Sequence, residues 1–297
     1  MAALEELVSE QLLQDTTLSG MLAQFAGSPA IFEYRAPADS DSGWDGQKQY
    51  PRMDYMVERQ EDPERRVSGM LMINIWHDTS ADDETTVEEV AARVQAILDG
   101  AMYHPDDEPV IGLRWSKGQF FTTGREQGDV SISDIPPSDL INAMYLEFDL
   151  LAFPLQETFS PDPIASLTQW STETFKGLQS DPTTWTPTEG EPALYWRFES
   201  FQVAKVEPSV TWYDATLYGH VLAPMPQDRL TWVRRICEQL LNDRTVTMEN
   251  GSWMIIQKLT ADTKQDQLRV GQIRMTVRYG IQVPQTTTDI LQHAYVR

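Results

Sequence analysis

The sequence predicts an α+β protein of two related domains, each a mainly antiparallel sheet packed against a helix. Three observations carry this expectation. A length of 297 residues is about twice that of a usual domain. Acids and bases are unevenly spread: residues 1–160 hold 30 acids and 10 bases, whereas residues 161–297 hold 15 and 13. The order of strand-like and helix-like runs in the first half also starts again in the second, after a stretch rich in Pro, Ser, Thr and Asp. The expected domains are 1–155 and 192–297, with 156–191 as a linker.

The first half opens on Leu4, Leu7, Val8 and Leu12 at helical spacing, followed by Leu18, Met21, Leu22 and Phe25 after a cap at Thr16 or Thr17. These predict two short helices or one broken helix. Pro29 to Tyr34 reads as a short strand. Residues 36–50 form a polar loop in which Trp44 is expected to be exposed, and long loops of this kind are commonly functional. Pro51 to Met56 is extended, Glu58 to Arg66 is a charged turn, and Val67 to Trp76 is a buried strand. The stripe Val87, Val90, Ala91, Val94, Ile97, Leu98 predicts a helix, with Thr86 and Glu89 as its capping box and Gly100 at its end. Ile111 to Trp115 and Phe120 to Thr123 are expected to pair as a hairpin around Ser116-Lys117-Gly118, and Ile141 to Phe153 is a long strand.

Past the linker, Pro192-Ala193-Leu194-Tyr195 echoes Pro29-Ala30-Ile31-Phe32, and Asp214 to Leu222 stands where Ser68 to Trp76 stood. A helix starts at Pro226 with the stripe Leu230, Val233, Ile236, Cys237, Leu240, Leu241. Trp253 to Gln257 and Gln272 to Pro284 are strands. The offset between matching pieces falls from 163 through 146 to 130, as shortened loops in a second copy would produce. The expected repeat runs strand, strand, strand, helix, strand, strand.

Composition excludes several classes of function. A formal charge of −22 is incompatible with gripping duplex DNA, which takes a basic face to displace phosphate counterions. A single cysteine, Cys237, excludes an intrachain disulfide framework and a thiolate zinc site. No stretch has the length of an apolar bilayer-crossing helix, and Glu5 and Glu6 stand where a signal peptide would be positive. The expectation is a soluble protein made in a reducing cytosol, without membrane contact.

No catalytic, cofactor or metal residues are predicted. His77-Asp78 at a strand end could be an oriented base, but with four histidines in all and none spaced as ligands it reads as a surface turn. Asp82-Asp83-Glu84 and the run Asp106, Asp107, Glu108 lack the order of a calcium loop; the first also suits the positive end of the helix that follows. Cys237 falls on an apolar helical face. The glycines, Gly124 and Gly128 among them, make no phosphate-cradling run. The interface candidates are Trp44, Tyr50, Asp106, Asp107, Arg234 and Arg235, because rigid rings and clustered charges commonly anchor protein contacts. Of the other tryptophans, Trp170 and Trp185 lie in the linker, while Trp76, Trp115 and Trp253 are expected as core or rim packing.

The run Ile73-Asn74-Ile75-Trp76, followed by a helix that starts Val87-x-x-Val90 and closes Leu98-Asp99-Gly100, resembles the tail terminator (tail completion) proteins of tailed bacteriophages. The N-terminal helix, the Ile31-Phe32 strand, Tyr50-Pro51 and the terminal strand Leu146 to Leu150 belong to the same likeness, which covers residues 4–154. The resemblance implies a non-enzymatic virion protein: a ring at the head-proximal end of the tail that halts tube growth and joins the tail to the head connector or stopper. It would contact the tail tube protein and assemble in the host cytoplasm, and DNA would pass through ungripped. Because those proteins are single domains of about half this length, a hexameric ring and a trimer with pseudo-sixfold symmetry both stay open. A tail tube or head-tail adaptor protein is one alternative; a carbohydrate-binding or adhesion module, suggested by the loop tryptophans, is another.

Overall fold

Leu4, Val8 and Leu12 lie on one face of α1 (Leu4–Gln14), and α2 (Thr16–Met21) adds Leu18 to the same core. The Asp15 side chain caps α2 by accepting from the Leu18 N–H, so the break between the helices is a capped turn. The computed structural model describes residues 3–46, 48–60, 67–78, 85–125, 135–136, 139–156, 158–188 and 190–283. Two compact units divide the chain, Met1–Pro154 and Leu155–Arg297.

The first unit continues with a small ribbon of β1 (Gln24–Phe25) and β2 (Ser28–Pro29), then β3 (Ile31–Glu33), β4 (Arg52–Arg59) and β5 (Val67–Asp78). After α3 (Val87–Leu98) come β6 (Met102–Tyr103), β7 (Val110–Gly124) and β8 (Leu140–Phe153). The sheet runs β3-β4-β5-β8-β7-β6 and is antiparallel except at β3–β4. Alternation along β5 buries Leu71, Ile73 and Ile75 against Val90, Val94 and Leu98 of α3 and against α1. The expected capping box of α3 is present, with Thr86 and Glu89 each bonding the other's backbone N–H. Gly100, at φ +87°, ends the helix in the left-handed region.

Two expectations for this half are corrected. Ile111–Thr123 is no hairpin: β7 crosses Ser116-Lys117-Gly118 as one strand, and the turn-like residues take up a bulge between Trp115 and Lys117. The strand can be polar there because, among the described residues, no strand pairs with its outer edge beyond Ile111 and Gly112, which β6 covers. Trp44, read as a lone aromatic in a polar loop, is only 7% exposed and packs edge-on against Phe25 and Phe32, with Ala23 and Ala30 beneath. The loop therefore folds over a satellite core. The Glu58–Arg66 turn from residue 61 on, Asp82-Asp83-Glu84, Gly128 and Pro284 lie outside the described residues.

The second unit contains α4 (Pro163–Thr174), β9 (Ala193–Val206), β10 (Val210–Leu222), α5 (Pro226–Asp243), β11 (Thr245–Thr247), β12 (Trp253–Ala261) and β13 (Ile273–Gln282). Its sheet runs β11-β12-β13-β10-β9, antiparallel throughout. Trp232, Val233, Ile236 and Leu240 of α5 pack on Leu217, Val221, Met275 and Val277. Leu230 and Leu241, expected on the buried stripe, are exposed, and Trp232 takes the place in the core.

Residues 156–191 are not a linker. They belong to the second unit and contribute Ile164, Leu167, Phe175 and Leu178 to its core, while Trp185 is fully buried. Asp162 starts α4 by accepting from the Ile164 and Ala165 N–H groups, and Pro163 fits the first turn, where it lacks only a donor that would be unused.

The two sheets share one strand order. In sequence, β4, β5, α3, β6, β7, β8 correspond to β9, β10, α5, β11, β12, β13, and in space both sets run first, second, last, fourth, third strand. The common series is therefore strand, strand, helix, short strand, strand, strand, which differs from the expected one. The Pro-Ala echo falls on strands that do not correspond, since Pro29-Ala30 precedes the extra parallel strand β3 whereas Pro192-Ala193 opens β9, the counterpart of β4.

Candidate interaction surfaces

The face of the first sheet turned away from its helices ends in a cleft of about 830 Å³, lined among others by Arg35, Asp39, Tyr50, Arg52, Asp54 and Arg125. Arg52, the first residue of β4, has its guanidinium 4.5 Å from the Tyr50 ring centre and 5.5 Å from that of Trp44. Asp39 accepts from Arg52 Nη1 at 2.6 Å and from the Tyr50 hydroxyl at 3.0 Å, and lies 3.6 Å from Arg125. Arg125 also pairs with Asp78 at the end of β5 and lies 5.5 Å from the Tyr50 ring centre. Burial pushes the Tyr50 hydroxyl well above its usual range, which keeps it a neutral donor to Asp39.

Asp54 lies deeper. It accepts from Asn74 Nδ2 at 2.9 Å and Trp76 Nε1 at 2.6 Å, and burial raises its carboxyl above the ordinary range against those two bonds. Its donors are thus an amide and an indole fixed in the neighbouring strand. Asp39 bridges Arg52, Tyr50 and Arg125, and this ties the loop that carries Asp39 to the sheet end. A reacting nucleophile with a poised base does not form in this constellation.

The six interface candidates fall into three separate places. Trp44 and Tyr50 come together around Arg52. Asp106 and Asp107 lie exposed in the turn between β6 and β7, with Asp107 at φ +60° and the adjacent Glu108 paired to Arg59 at 3.0 Å. Arg234 and Arg235 lie on the outer face of α5; Arg234 reaches Glu238 at 3.5 Å, and Arg235 stacks 4.3 Å over Trp232. Sequence reading missed Asp39, Arg52, Asp54 and Arg125. Arg52 and Asp54 could have been found from the alternation of β4, whereas Arg125 carries no local signal.

The tryptophans also redistribute. Trp185 is buried and Trp170 donates to Asp243 at 2.9 Å, so neither stands free as a sugar platform. Trp253, expected as packing, is 66% exposed on the outward face of β12. His77 is a buried strand residue whose Nδ1 lies 2.9 Å from the Asp78 carbonyl, and Asp78 is held by Arg125, so the two form no oriented pair of base and acid. Burial pushes the Cys237 thiol up to about 11, away from reactivity. Among the described residues no group of His, Cys, Asp and Glu converges as metal ligands would, and no helix is long and apolar enough to cross a membrane.

The open faces of the two sheets differ in charge. On the first, the rows across β4, β5, β8 and β7 carry Asp54, Glu58, Asp78, Glu147 and Asp149 against Arg52, Arg114 and Lys117. On the second, the matching rows carry Arg197, Lys205, Lys258, Arg274 and Arg278 against Asp214, Glu199 and, just past β9, Glu207, which pair with Arg278, Arg197 and Lys205 and leave Lys258 and Arg274 in excess. Tyr218 there is covered by the guanidinium of Arg197 at 4.8 Å and of Arg274 at 5.7 Å, and Arg278 grips Asp214 at 2.7 Å. That grip holds the Asp214 carboxyl below the usual range.

Comparison of the chain with protein-family models, with curated proteins and with solved structures returned no match.

Proposed function

We propose that this chain is a structural ring protein of the tail-terminator kind, placed at the head-proximal end of a phage tail, where it ends tube growth and joins tail to head. The observation that carries the reading is the single strand order written twice, each time with a helix on one face. Two like units in one chain suit quasi-symmetric packing around an axis, and we read them as a duplication that lets three chains build what six single-domain subunits build elsewhere. A hexamer of the whole chain is the other closed solution.

Charge supports the same reading. With 30 acids and 10 bases in residues 1–160, a ring with that half toward the bore repels phosphate and lets DNA slide through. The cleft of the first unit fits a structural role, because Arg52, Arg125, Asp39 and Asp78 pair with one another.

Quantitative mass spectrometry of purified particles tests the reading. One ring of copies per particle, constant when tail length changes, is the expected result. A copy number that grows with tail length identifies a tube protein instead, and absence from particles removes the viral reading altogether.

A further inference from the structure

We propose that the open face of the second sheet is the docking surface for the open face of the first sheet of another copy of this chain. The inference deepens the ring reading and rests on it for the closure of the contact into a ring.

Face composition is the first argument. The second sheet presents Trp212, Tyr218, Trp253 and Ile255 outward, ringed by Arg274 and Lys258. Trp253 and Ile255 are 66% and 41% exposed, which leaves a large ring and a branched side chain facing water on β12. Aromatics and arginine are the residue types enriched where proteins meet. The first sheet offers Met56, Met70, Met72 and Tyr145 on its corresponding face, adaptable apolar surface of the kind that moulds to a partner.

Charge complementarity commits the occupant. In a protein of net −22, one face carries five bases against three acids, with Lys258 and Arg274 in excess, while its topological counterpart carries five acids against three bases. Attraction favours the unlike pair, and like faces repel, so pairing of two identical faces is disfavoured. A contact between two different faces is head-to-tail, and such a contact generates rings when the rotation closes. Sheets that meet face to face pack about 10 Å apart with side chains interleaved, which the mixed Met and Trp faces permit. A nucleic-acid ligand is the competing occupant of a basic, aromatic sheet, but the surrounding negative charge opposes it.

Charge reversal of the full-length chain decides the matter. The two variants are Lys258→Glu/Arg274→Glu on the second sheet and Glu58→Lys/Asp149→Lys on the first. Lys258, Arg274 and Glu58 are exposed, and Glu58→Lys alone is the fallback should the pair disturb folding. Self-association is followed by sedimentation velocity from micromolar to millimolar protein at low salt. The expected result is concentration-dependent association of the native chain that weakens at least tenfold in either variant and at high salt. A 1:1 mixture of the two variants should associate again, because each then meets an unlike face. The proposal is overturned if the native chain stays monomeric across that range, if the variants associate as the native chain does, or if mixing restores nothing. It is also overturned if Lys258→Glu/Arg274→Glu abolishes binding of a single-stranded oligonucleotide and leaves association unchanged. A ring present in particles but indifferent to these substitutions would keep the ring reading and remove this contact.

Discussion

The first and second sheets share one strand order and bury similar apolar rows beneath a helix, yet their open faces carry opposite charge. Inward residues keep to the alternation that the core demands, with Leu71, Ile73 and Ile75 on β5 and Ala215, Leu217 and Val221 on β10. Outward residues are free of that demand. Asp54 and Asp214 show how far they diverge: one is a buried carboxyl held by neutral donors, the other is clamped by Arg278. The strand order is thus common to both units, and the surfaces it leaves uncovered are where they differ.

The largest test of this likeness removes matching core side chains. Phe148→Ala on β8 should cost about 3–5 kcal/mol and Met275→Ala on β13 about 2–5 kcal/mol, as measured by urea unfolding; both side chains are fully or almost fully buried. A negligible loss in one unit only would break the comparison.

Helix starts come next. Thr86→Ala on α3 should lose about 1 kcal/mol, because it deletes a cap bonded to Glu89. The counterpart helix begins at Met225 with no side-chain cap, so Met225→Ser should gain stability, by less than about 1 kcal/mol, in the same unfolding assay.

A third difference is one of sign. The Asp54 carboxyl is raised by burial, so its contribution to stability is fully present below the unfolded value of 3.8 and is lost as pH rises through its higher folded value. Asp214 is lowered by Arg278, so its contribution is present above 3.8 and is lost as pH falls through its lower folded value. Carboxyl-carbon NMR titration should place the Asp54 midpoint above that of Asp214; the reverse order would contradict the two environments. The smallest effect belongs to α5, where Arg234→Ala should change stability by less than about 0.5 kcal/mol, since its partner Glu238 is one turn away on an exposed face.

Much of this was legible in the chain. The α3 stripe, its capping box and its terminal glycine are local signals, and local signals suffice for a helix. The errors share a cause: composition stood in for context. Ser116-Lys117-Gly118 resembles a turn because, among the described residues, no strand pairs with β7 along that edge, and an edge strand can be as polar as a loop. Residues 156–191 are polar enough to pass for a linker: a helical turn is readable around Ile164 to Trp170, where α4 lies, but no local signal shows that it packs into a core. The partners of Trp44 are Phe25 and Phe32, which face it only once the ribbon has folded. The same holds for Tyr50 and Arg125, 75 positions apart and joined only by the pairing of β5, β8 and β7.

A cryo-electron-microscopy map of the protein in purified particles bears most directly on the proposal that two like sheet-and-helix units serve as building blocks of a ring. The account predicts one closed ring per tail, its α+β units repeating around the axis and its bore lined by acids. Stacked copies along the tube, or a bore lined by arginine and lysine, would contradict it.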